Sequence, residues 1–155
     1  MPHTPRPRIS DLSAHLGYWL RYVSNHVSQA FAHKLEARGV TVAEWALMRR
    51  LYDTDSLAPS RLAEQLGLTR GAISKLADRL ITKGLAARTP DANDARAQTL
   101  SLSARGRGLV PKLAALADQN EAEFFDHLSV EERSTIERVL KEIVRLRSLK
   151  SLPID

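Results

Sequence analysis

Apolar residues Leu12, Leu16, Trp19, Leu20, Val23, Val27, Ala30, Phe31 and Leu35 recur at spacings of three and four. On a helix they form one stripe, so the pattern predicts a single amphipathic helix from Ser10 with Gly39 as its stop. At about 27 residues it is long for a small domain, which implies that part of the stripe faces another chain. Thr41-Val42-Ala43-Glu44 has the form of a capping box, in which the two side chains reciprocally satisfy orphan backbone donors. A second helix therefore starts there and runs through Trp45, Leu47, Met48 and Leu51 to about Tyr52, with a loop at Asp53-Thr54-Asp55-Ser56. Pro59 suits the first turn of a short third helix, Ser60 to about Leu66, ended by Gly67. Thr69 is a good N-cap for a fourth helix, where Ile73, Leu76, Ala77, Leu80 and Ile81 form the stripe and Gly84 the stop. Two short helices across a Gly-containing turn make a helix-turn-helix candidate.

Beyond Gly84 the pattern changes. Leu85-Ala86-Ala87-Arg88-Thr89, the turn-rich Pro90-Asp91-Ala92-Asn93-Asp94 and the alternating end of Ala97-Gln98-Thr99-Leu100-Ser101-Leu102 predict a hairpin with a charged tip. Ser103 then caps a fifth helix carrying Leu109, Val110, Leu113, Leu116, Ala117, Phe124 and Phe125, with a kink expected at Pro111. Ser129-Val130-Glu131-Glu132 is a second capping box, opening a sixth helix with Ile136, Val139, Leu140, Ile143, Leu146 and Leu149 on one side. The fold class is mainly α, with six main helices and a small β-hairpin. No internal repeat interrupts this order, and a chain of 155 residues is expected to form a single domain over 1–155.

Charge changes the picture by its location. The net charge is +5, and residues 60–107 hold all of it: Arg61, Arg70, Lys75, Arg79, Lys83, Arg88, Arg96, Arg105 and Arg107 face Glu64, Asp78, Asp91 and Asp94. A basic middle between neutral flanks points to an anionic partner met by one face, nucleic acid being the commonest, against the alternative of a solvated face with no partner. With no cysteine, thiol catalysis and Cys-ligated zinc are excluded. There is no phosphate-cradling Gly-rich loop, no nucleophile elbow and no His-rich metal spacing, so no enzyme activity, cofactor or metal is expected. No run approaches 18 apolar residues and Met1–Arg8 leads into a charged segment, so a cytoplasmic protein without membrane contact is expected.

Leu62 to Leu85 (LAEQLGLTRGAISKLADRLITKGL), followed by Asp94-Ala95-Arg96 and Leu100-Ser101-Leu102-Ser103, resembles the MarR family of transcriptional regulators over about residues 9–150. The resemblance implies a winged helix-turn-helix at about 41–102, homodimerisation through helices at 9–39 and 103–150, and a fourth helix that enters the major groove of duplex DNA. At 100° per residue, Gly71, Lys75, Asp78 and Thr82 oppose the apolar stripe of that helix, with Ser74 and Arg79 at its margins. Lys75 can reach a base acceptor or a phosphate, Arg79 suits a phosphate, and Thr69 and Arg70 sit where free backbone donors attract phosphate. Ser60 and Arg88 are further DNA-backbone candidates. Asp78 would repel phosphate, so pairing with Lys75 or Arg79 is expected. Asp94 and Arg96 match the family's wing motif, which implies an arginine in the minor groove oriented by the aspartate. A guanidinium at a loop tip fits the narrow, negative groove of A/T-rich DNA, while a mutual surface ion pair is the alternative. Ala95 stands where many relatives carry a basic residue, so a weaker phosphate contact is expected there.

The resemblance also implies a small aromatic acid as effector. His15, Tyr18, Trp19, Tyr22 and His26 recur along the first helix, Trp45 and Arg49 could face them from the second, and rings plus a cation would suit a phenolic carboxylate. The alternative is the stronger one, because an aromatic stripe at helical spacing is usually core. The function expected is a sequence-specific regulator, a repressor, on a pseudo-palindromic operator. The alternative is a sequence-tolerant architectural DNA binder without an effector. RNA ranks last, since residues 60–107 contain no Phe, Tyr or Trp on which bases would stack.

Overall fold

The computed structural model describes residues 6–94 and 96–150. A 3-10 turn over Leu12–Ala14 precedes α1 (Leu16–Glu36), α2 (Val42–Tyr52), α3 (Pro59–Leu66) and α4 (Arg70–Thr82). Strands β1 (Ala86–Pro90) and β2 (Gln98–Leu102), then α5 (Ala104–Phe125) and α6 (Val130–Leu146), complete the order. The six helices and the hairpin match expectation. The first helix does not start at Ser10: Asp11 accepts the Leu12 N–H, and His15 is extended at φ −96°, ψ 128° before α1 begins. Trp19 Nε1 donates to the Ser13 carbonyl at 2.8 Å, holding the 3-10 turn back against α1. Local capping at Asp11 thus divides a stripe that periodicity reads as one helix. α5 is assigned as helix without interruption across Pro111.

Thr41 Oγ1 caps α2 by accepting the Glu44 N–H at 3.1 Å, but the capping box is not closed. Glu44 instead turns inward, 1% exposed, where Lys83 donates to both carboxylate oxygens at 2.6 and 2.9 Å. The box at Ser129 does close, with Ser129 Oγ accepting from Glu132 N–H and Glu132 accepting from Ser129 N–H. Hydrogen bonding by Ser129, first through its backbone N–H and then through its side chain, holds the Glu132 carboxyl below the usual carboxylate range.

The core gathers Leu35, Leu47, Met48, Leu51, Leu62, Ile73, Leu80, Leu100, Val110 and Leu113 from α1 to α5. The hairpin is antiparallel, with Ala86 opposite Leu102 and Pro90 opposite Gln98. Leu57 adds a bridge outside it by exchanging both backbone bonds with Leu100 at 2.9 and 2.8 Å, which fastens the hairpin to the segment before α3. Gly106 sits where α5 crosses the start of the hairpin, and a Cβ there would lie 2.1 Å from the Leu85 carbonyl oxygen.

α5 is joined to α1 by polar groups that periodicity does not single out. Asn120 is buried; its amide donates to the Val27 carbonyl at 3.1 Å and accepts from Lys34 at 3.0 Å. Lys34 also donates to Glu123 at 2.8 Å, and with Gln119 holds that carboxyl below its usual range. α6 buries none of its residues. Its Ile136, Val139, Leu140, Ile143 and Val144 are exposed, as are Leu16, Trp19, Leu20, Tyr22 and Val23 at the start of α1. Among the described residues no helix is long and apolar enough to cross a membrane.

Candidate nucleic-acid interface

Thr69 starts α4 by accepting the Ala72 N–H at 3.1 Å, and burial of Ile73, Leu76, Ala77 and Leu80 fixes its rotation about its axis. Gly71, Ser74, Lys75, Asp78, Arg79 and Thr82 are exposed as a result, with Thr69, Arg70 and, on α3, Ser60. A Cβ at Gly71 would meet nothing closer than Thr69 Oγ1 at 3.9 Å, so packing does not demand glycine and the surface there is open.

At the hairpin tip the aspartates act on the backbone. Asp94 Oδ1 accepts the Arg96 N–H at 3.0 Å and its carbonyl accepts the Ala97 N–H at 3.1 Å. Asp91 donates its N–H to the Ala97 carbonyl at 2.9 Å and accepts from the Asn93 N–H at 2.8 Å. Asp94 thereby shapes the turn that carries Arg96, whose side chain is exposed; an Asp94–Arg96 ion pair does not occur among those formed by the described residues. Ala95 lies outside the described residues, and with it the expectation about its phosphate contact.

Asp78 pairs with neither Lys75 nor Arg79. Arg88 reaches it from β1 at 2.8 Å and also donates to the Ser74 carbonyl at 3.4 Å. Strand β1 runs beside α4, so Arg88 approaches from across the groove between them, which spacing along α4 cannot reveal. Three more cations of the basic stretch are engaged internally. Lys83 holds Glu44, Arg105 donates to the Lys83 carbonyl at 3.2 Å, and Arg107 donates to the Tyr52 and Thr54 carbonyls at 3.1 and 2.6 Å. Arg61, Arg70, Lys75, Arg79 and Arg96 remain exposed, with no side-chain hydrogen bond or ion pair to the described residues. The basic stretch therefore contains a structural set at the base of the winged unit and an outward set on α3, α4 and the tip. Glu44 was detectable in principle: it shares the spacing of the buried Leu47, Met48 and Leu51, a carboxylate on an apolar stripe.

The effector candidates separate into two groups. Along α1, Tyr18 meets Trp19 edge-on at 5.1 Å between ring centroids, and Tyr22 stacks on His26 at 4.7 Å. His15 bonds the Leu12 carbonyl through Nδ1 at 3.2 Å. Trp45 packs edge-on against Phe31 at 6.2 Å, and Arg49 pairs with Asp53 at 2.7 Å with its guanidinium 6.0 Å over Tyr52. Trp45 and Arg49 line a shallow depression with Leu66 and Asp53. The α1 rings are neither core of this chain nor joined to that depression. Among the described residues no group of three or more His, Asp or Glu side chains is placed to hold a metal ion.

The MarR family model matches residues 38–97, which span α2, the helix-turn-helix, β1 and the turn that follows it. The multiple antibiotic resistance protein MarR of Escherichia coli is 25% identical over 130 residues, 83% of this chain and 90% of that protein. Among solved structures, the S. aureus MepR–DNA complex is 28% identical at a TM-score of 0.78, covering 87% of this chain and 98% of that one. Bordetella bronchiseptica BpsR, whose DNA binding is regulated by 6-hydroxynicotinic acid, shares the fold at a TM-score of 0.77 and 21% identity, over 88% and 97% of the two chains. A helix-turn-helix braced by a hairpin, inside a frame of long flanking helices, is what this chain shares along most of its length with proteins of the MarR family, to which it is similar.

Proposed function

We propose that two copies of this chain bind a pseudo-palindromic duplex as a sequence-specific transcriptional regulator, acting as a repressor. The observation that carries this reading is the outward set of cations: Arg70, Lys75 and Arg79 on the face of α4, with Arg96 at the hairpin tip. Thr69, Gly71 and Ser74 let the N-terminal half of α4 approach base edges in the major groove, with Lys75 as the long donor. Arg79, Arg70 and Ser60 take phosphates and set register, and Arg96 enters the minor groove from a turn shaped by Asp94. Arg88 serves this surface indirectly, by joining β1 to α4 through Asp78.

The homodimer is supported by exposed apolar residues. Leu16, Trp19, Leu20 and Val23 of α1 and Ile136, Val139, Leu140 and Ile143 of α6 are exposed, and an obligate interface between two copies would cover them. On this reading the DNA-binding region is about 41–102 within one domain, and 9–39 with 103–150 hold the dimer. A small aromatic acid that lodges against the α1 rings where the copies meet would release DNA, and by linkage would bind the DNA complex less well.

Arg96→Ala tests the wing. On a duplex enriched by the wild-type protein from a random library, at roughly 150 mM salt, affinity should fall about tenfold or more with the dimer intact in sedimentation. Unchanged affinity would remove Arg96 from the interface.

A further inference from the structure

Lys83 directly follows α4, and its ammonium uses three donors on three acceptors: both oxygens of Glu44, at 2.6 and 2.9 Å, and the Gly39 carbonyl at 2.8 Å. Its own carbonyl accepts from Arg105 of α5 at 3.2 Å. The C-terminal end of α4 is therefore tied at once to the turn between α1 and α2, to α2 and to α5. Glu44 is 1% exposed, so this carboxylate has no water to turn to if Lys83 is removed.

The apolar stripe of α4 holds the helix down, but hydrophobic contact is non-directional and tolerates a small tilt or slide. Hydrogen bonds of fixed length do not. Gly71 lies about 18 Å and Lys75 about 12 Å along the helix from Lys83, so a tilt of about 5° about the Lys83 end moves the Gly71–Lys75 segment by about 1 to 1.5 Å. Phosphate contacts through long, flexible cations survive such a shift, whereas hydrogen bonds to base edges are lost.

We propose that Lys83 and Glu44 are positioning residues that clamp α4 for base reading, so that losing the pair degrades discrimination between DNA sequences more than it degrades DNA binding as such. The proposal rests on the DNA-binding reading above and goes beyond it, since neither side chain reaches the outward face.

The test compares wild type with Glu44→Leu/Lys83→Met, which removes both charges together and leaves no buried ion alone. Probes are a duplex enriched by the wild-type protein from a random library and a scrambled duplex of equal composition. The clamp predicts a specificity ratio at least about tenfold lower in the double variant, with affinity for the scrambled duplex within about twofold and the thermal midpoint preserved. Glu44→Gln keeps the shape and one acceptor, and should lose about threefold of the ratio; it carries the test if the double variant does not fold. A ratio equal to wild type in the folded variants overturns the clamp and leaves the DNA-binding reading standing. Failure of the wild-type protein to enrich any duplex overturns both.

Discussion

Gly106 shows how a single residue supports the interface from a distance. The Leu85 carbonyl, which also accepts the Ser103 N–H at 3.0 Å, lies against its Cα, and a methyl group would have to displace backbone. Gly106→Ala should destabilise the fold by about 1–3 kcal/mol in chemical denaturation, the usual range for overpacking, and an unchanged midpoint would contradict that close approach. Sequence reading reached some residues and not others for physical reasons. Thr69, Gly67 and Ser103 act on backbone within three or four positions, so their roles follow from local spacing. Glu44 has the same local signature as a capping residue, yet a cation 39 positions away takes its carboxylate. Spacing pairs Asp78 along its own helix, whereas Arg88 takes it from β1.

Helix boundaries follow the same division between local and distant causes. α2, α3 and α4 begin and end at signals contained within their own turns. Periodicity makes α1 and the turn before it one long helix, because it counts apolar positions and does not register that Asp11 caps a separate turn. Within one chain α6 buries none of its residues, so its start is held by its cap. Its capping glutamate, Glu132, is held below the usual carboxylate range chiefly by the hydrogen bond from the Ser129 backbone N–H. A carboxylate depressed in the folded state adds stability above its unfolded pKa, and that contribution fades as pH falls through the folded value. Lowering the pH through and below the usual carboxylate range should therefore fray the start of α6 in the wild type, seen as faster amide exchange at Glu131–Arg133. Glu132→Ala should exchange faster already at neutral pH and change less on acidification; equal behaviour of the two proteins would remove Glu132 from the cap.

The whole molecule is a helix-turn-helix and hairpin unit mounted on helices, of which α1 and α6 leave apolar residues exposed. The element order, the hairpin and the outward face of α4 were legible because each is written in local periodicity and caps. The division of the basic stretch into structural and outward cations was not, because Lys83, Arg105 and Arg107 are engaged by chain segments far away in sequence. Nor was the separation of the α1 rings from Trp45, which depends on where along α1 the second helix crosses it and Trp45 meets Phe31. Both outcomes sharpen the same account: a small outward set of groups reads DNA, and the remainder holds it in place. Phosphate contacts alone would give affinity for any duplex, so affinity does not test this account and discrimination does. The decisive measurement is fluorescence anisotropy of the wild-type protein at about 150 mM salt on the DNA upstream of its own gene and on duplexes it enriches from a random library, each against a scrambled duplex of equal composition. The account predicts a preference of roughly a thousandfold or more for at least one of these over its scrambled counterpart. Equal, weak binding to all of them would contradict it and identify a sequence-tolerant architectural binder instead.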